Sequence, residues 1–158
     1  MKLRGTSIRT LQCAAALSLG LACSQVSRAD NCSGYIAEVN RSYEQSLELN
    51  KTNRMSSFTS YDIITSGDNP NFDGRMGECH GTWLVMSNGD PKGGAYCAFT
   101  DKDGDTAYVQ WEVTAQGGTW KGVGGTGKWA DNVSAGWTKL VARDDKRTLL
   151  QWGGICQQ

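Results

Sequence analysis

A chain of 158 residues with 16 Lys+Arg, 16 Asp+Glu, 20 Gly, 2 Pro, 6 Trp and one His has the size of one ordinary domain. The single histidine excludes any mechanism that needs two. No run of 18 apolar residues is present to cross a membrane as a helix, and the Gly- and Trp-rich composition favours short strands and tight turns over a helical bundle.

The chain opens with a targeting pattern. Lys2, Arg4 and Arg9 precede the apolar stretch Leu11 to Ala22, and small residues stand at Ser27 and Ala29, so residues 1–29 read as a signal peptide cleaved after Ala29. A lipid attachment at Cys23 would want Leu at the position held by Gly20. Cleavage removes four basic residues (Lys2, Arg4, Arg9, Arg28) and no acidic one, which moves the formal charge from zero to about −4. A mildly acidic, secreted or periplasmic domain is a poor partner for nucleic acid.

Residues 30–55 predict the one helical segment. Ser33 is a plausible N-cap, and Ile36, Val39, Tyr43 and Leu47 recur at spacings of three and four with charged residues between them. From residue 56 to the C-terminus the texture changes to β-branched and aromatic runs punctuated by Gly, Asn and Asp. Strands are expected near 56–65, 81–87, 95–100, 106–114, 118–124, 135–143 and 147–154. The fold class is therefore mainly β: a closed antiparallel barrel of about seven or eight strands over 56–158, preceded by one amphipathic helix, since closure removes exposed sheet edges.

Two turns imitate binding motifs. Asp101-Lys102-Asp103-Gly104-Asp105 has the look of a calcium loop, yet its Gly falls at position four rather than six, and an Asp-Gly hairpin turn accounts for it. Gly122 to Lys128 has phosphate-loop spacing, but Trp129 stands where Ser or Thr should hold magnesium, so the glycines read as a kinked or bulged strand. Neither cofactor nor metal is expected.

Four cysteines remain after cleavage, Cys32, Cys79, Cys97 and Cys156, an even number that suits an oxidising compartment. Of the three possible pairings, Cys79 with Cys97 is favoured because the two flank the turn-rich stretch 87–94, which leaves Cys32 for Cys156. Their spacing does not suit zinc.

Cys79-x-Gly81, Cys97, Thr100 to Asp105, Trp111, Gly118-Thr119-Trp120, Gly124 to Trp129 and Trp152-Gly153 together resemble a family of small exported bacterial proteins similar to the allene oxide cyclase-like, calycin-type barrels. The resemblance covers roughly residues 56–156, and its most specific part is DKDGD followed by GTGKW. It implies a barrel with an apolar cavity, and no particular reaction.

Few residues are candidates for chemistry. His80 could act as an acid or base, and Glu112 would do so if its face of the strand turned inward. Over 106–114 the set Val109, Trp111 and Val113 has the better claim to the interior, with Tyr108, Gln110 and Glu112 outside. Trp83, Trp111, Val109 and Val113 are the expected walls of a site for a small hydrophobic molecule. Three functional classes follow: a binding module for such a molecule, an isomerase or cyclase that uses the cavity, and a secreted protein inhibitor. Oligomeric state leaves no mark on the sequence.

Overall fold

The computed structural model describes residues 29–66, 68–87, 91–114, 116–144 and 147–157; the predicted leader up to residue 28 lies outside them. The chain runs β1(Ala29–Glu48), β2(Arg54–Ser66), β3(Met76–Val85), β4(Pro91–Thr100), β5(Thr106–Thr114), β6(Gly117–Gly125), a short 3₁₀ turn Gly127–Trp129, β7(Ala135–Arg143) and β8(Thr148–Gln157). Each strand pairs with the next and β8 returns to β1, so the meander closes as an eight-stranded antiparallel barrel. Among the described residues no helix is long and apolar enough to cross a membrane.

The segment expected as a helix is a strand. In β1 the buried residues alternate, with Cys32, Gly34, Ile36 and Glu38 facing in while Asn31, Ser33 and Tyr35 are exposed. Two register shifts against β2, between Val39 and Ser42 and between Tyr43 and Gln45, then interrupt the period of two. A bulge inserts an extra residue into the alternation, and of the four apolar residues spaced by three and four only Ile36 is fully buried, while Tyr43 and Leu47 are exposed, so the spacing marks no buried stripe. Glu38, placed on the polar side of the expected helix, is in fact inside the barrel.

The later strands follow the sequence pattern closely. β5 buries Ala107, Val109 and Trp111 while Tyr108 and Glu112 are exposed. On β3, Cys79 and Trp83 face in, with small Gly81 between them and Gly77 before them on the same side. Gly81 is needed there because a Cβ would stand 2.6 Å from the Phe58 ring. The glycine-rich β6 carries a register shift opposite Tyr108 and Val109, which is the bulged passage expected of Gly122 to Gly125.

Two disulfides fasten the barrel. Cys79–Cys97 joins directly paired residues of β3 and β4, with Cα atoms 4.1 Å apart. Cys32–Cys156 ties β1 to β8 across the closing seam, with Cα atoms 5.9 Å apart. Cross-links of this kind suit an oxidising, extracytoplasmic environment.

The end of the barrel that carries the β2–β3, β4–β5 and β6–β7 connections is plugged. Phe72, from the β2–β3 connection, packs edge-on to Trp129 at 5.4 Å and near Trp152 at 5.7 Å. Trp129 donates its indole proton to Asp101 Oδ2 at 2.9 Å, and Lys128 Nζ reaches Asp101 at 2.9 Å and Asp103 at 2.8 Å. The DKDGD and GTGKW segments are thus two halves of one clasp, with Asp101 also accepting from the backbone N–H groups of Asp103 and Asp105. The turn reading of Asp101 to Asp105 agrees with Gly104 at φ 88°.

Candidate functional site

Among the described residues, two chambers in the interior share Trp111 as a wall. The outer one, about 670 Å³ of unfilled space including its mouth, lies toward the β5–β6 and β7–β8 connections, where Thr114, Gly117, Arg143 and Thr148 border it. Its body is aromatic, formed by Phe58, Trp83 and Trp111, with Phe58 and Trp83 5.7 Å apart. The inner one, about 410 Å³ on the same measure, reaches toward the plug and is walled by Ile36, Phe99, Val109, Trp120 and Trp152. Trp120 and Trp152 meet edge-on at 6.0 Å. Rings crossed in this way keep an apolar wall rigid.

Each chamber also presents buried charged groups. In the outer chamber Glu38 of β1 and Asp62 of β2 stand directly opposite each other in the ladder, 5% and 6% exposed, and both line the cavity. Residues opposed in this way have Cβ atoms roughly 5 Å apart. Ser60 Oγ donates to Asp62 Oδ1 at 3.1 Å. Asp62 Oδ2 lies 3.3 Å from Cys79 Sγ, a contact without a proton because that sulfur is in a disulfide. Asp62, Cys79 and Cys97 are close enough to bracket an ion, but with both sulfurs oxidised they offer it one carboxylate. Buried carboxylates beside an apolar cavity are groups of the type that transfer protons.

In the inner chamber the charged group is Arg75, 2% exposed, with Asn132 and Ser134 also on the lining. Its guanidinium carbon lies 3.9 Å from the Trp129 ring centroid and 4.2 Å from that of Phe72, and Nε donates to the Asn71 carbonyl at 2.7 Å. Burial pulls its pKa down to about 10, with Asp101 acting the other way, so it stays charged at neutral pH.

The residues singled out from sequence divide between inside and outside. Trp83, Trp111 and Val113 line the outer chamber, and Val109 and Trp111 the inner. His80 lies on the outer surface, its side chain 66% exposed, with Nε2 3.1 Å from Glu78 and Nδ1 3.3 Å from Thr59 Oγ1. Glu112 is exposed as well. Neither reaches the cavity, because Cys79, Gly81, Trp111 and Val113 hold the inward positions of those strands. The acids that do line it, Glu38 and Asp62, were hidden in sequence: single polar residues betray an inward position only once strand register is known.

No protein-family model and no curated protein matches this sequence. Solved structures do match in fold. An enzyme from Penicillium herquei superposes with a TM-score of 0.62 at 14% identity, over 80% of this chain and 94% of that one. A pterocarpan synthase dirigent protein gives 0.58 at 13% identity, over 92% and 100%. A protein of unknown function from Clostridium acetobutylicum gives 0.54 at 9% identity, over 82% and 99%. At these identities the likeness is one of barrel architecture.

Proposed function

We propose that this protein is an exported barrel that binds a small, flat, hydrophobic molecule along its axis. The observation that carries the reading is the outer chamber, open at one end and walled by Phe58, Trp83 and Trp111. Apolar concavities with a few convergent polar groups are the usual form of small-molecule sites. Export is supported by the two disulfides together with the leader pattern before Asp30.

Native mass spectrometry of the protein purified from its own source tests this. The expected result is a bound small molecule that leaves on denaturation and, when added back, quenches Trp emission and raises the Tm. Protein that carries nothing and whose emission responds to no apolar probe would sink the reading.

A second reading, an isomerase or cyclase without a metal, is favoured by one observation: the opposed Glu38 and Asp62 on the cavity wall. Such a pair can take a proton from one atom of a bound ligand and return one to another. Two of the similar folds being described as an enzyme and as a pterocarpan synthase supports chemistry in such a barrel. Asp62→Asn and Glu38→Gln should then abolish turnover of the copurified molecule while leaving its binding within a few-fold.

A further inference from the structure

Several hydrogen-bond donors around the inner chamber have nothing accepting from them. Arg75 Nη2 is buried and has no hydrogen-bond partner among the described residues, and the same holds for the indole N–H groups of Trp111, Trp120 and Trp152 around that chamber. The other polar residues there, Asn132 and Ser134, do not answer this: neither bonds Nη2, and Asn132 Oδ1 instead accepts from the Ser134 N–H. The clasp does not answer it either: the Asp101 carboxylate is committed to Trp129, Lys128 and its own turn. A buried charge with an open donor is costly unless something accepts from it.

We infer that the inner chamber is the seat of a carboxylate, so that the ligand is an elongated apolar acid whose head group pairs with Arg75 while its ring or chain lies against Trp111. The inference rests on the ligand-binding reading and adds the chemical class. Arg75 is the one buried cation among the described residues and already feels Asp101; a carboxylate would give Nη2 its acceptor with one added charge, whereas a phosphate would bring a second. The chamber is the smaller of the two and suits a head group rather than a ring system. From Trp111 to Ala107, which borders the same chamber as Arg75, the rise along β5 is roughly 14 Å, so a short chain joins ring to acid.

The test is calorimetric titration of the full barrel with 5-phenylpentanoate and with its neutral amide. The wild type is expected to bind the acid at least about tenfold more tightly than the amide, a difference of about 1.4 kcal/mol. Arg75→Met should bring the acid down to the level of the amide and leave amide binding within about threefold; Arg75→Lys should keep a preference for the acid. Equal binding of acid and amide by the wild type would overturn the inference alone and mark Arg75 as a pin of the plug, its open donor satisfied by water. A folded Arg75→Met variant that keeps the preference would overturn it too. Binding of neither compound would overturn it, and, joined by Trp emission that responds to no apolar probe, would overturn the ligand-binding reading as well. Should Arg75→Met fail to fold, the wild-type comparison and the lysine variant still decide.

Discussion

Trp129 sits between two charges: its ring covers the Arg75 guanidinium at 3.9 Å while its indole N–H donates to Asp101 at 2.9 Å. One buried side chain thereby links the chamber floor, the β4–β5 turn and the β6–β7 connection.

Acid should loosen this clasp. Burial works to raise the Asp101 pKa, but hydrogen bonds from Trp129, Lys128 and Asp103 outweigh it and hold the carboxyl far below its usual range. A carboxyl depressed in the folded state contributes stability that is present above about pH 4 and is lost as pH falls toward the folded pKa. Melting curves from pH 7 to pH 2 should show the Tm falling on the acid side, and Asp101→Asn should flatten that limb. A variant with the wild-type acid profile would assign the loss to other carboxyls.

Glycine at 127 is required by shape. It has φ 50°, and a Cβ would collide with the Asp105 carboxylate. Gly127→Ala should cost on the order of 1–3 kcal/mol, read as a lower urea midpoint with unchanged m, because positive φ and overlap act together.

The two disulfides should differ in worth. Cys32–Cys156 spans 124 residues and Cys79–Cys97 spans 18. In the chain-entropy view, paired Ser substitutions should cost about 4–5 kcal/mol at the seam and about 3 kcal/mol at the hairpin. Denaturant titrations of the two double variants give the order directly.

Trp111→Ala removes the wall common to both chambers. Large-to-small changes at buried aromatics cost about 3–5 kcal/mol, so the Tm should fall and the affinity for an apolar ligand with it. His80→Ala, on the outer surface, should leave binding unchanged in the same titration.

How much of this was legible follows from where each residue's signal lies. From β2 onward the strands announce themselves, since Asp103-Gly104 and the glycines around β6 mark the turns and bulges and Val109, Trp111 and Val113 alternate with polar neighbours. β1 was misread because Val39, Tyr43 and Leu47 mimic a helical stripe across two bulges. The aromatic walls were legible as an inward face, but Arg75 belongs to a connection whose path no local pattern predicts, and Glu38 and Asp62 become neighbours only through the β1–β2 register.

The pairing of β1 with β8 sets a timetable for the newborn chain. Synthesis delivers strands in order, and each hairpin from β1 to β7 can zip as it emerges, yet the product is still an open, curved sheet with two bare edges. Cys79 can meet Cys97 early in that sequence. Cys32 must wait until β8 is made, because its partner Cys156 lies in that strand. Oxidation at the seam therefore records closure of the barrel, and a polypeptide cut short before β8 would keep Cys32 without its partner and β1 exposed to neighbours.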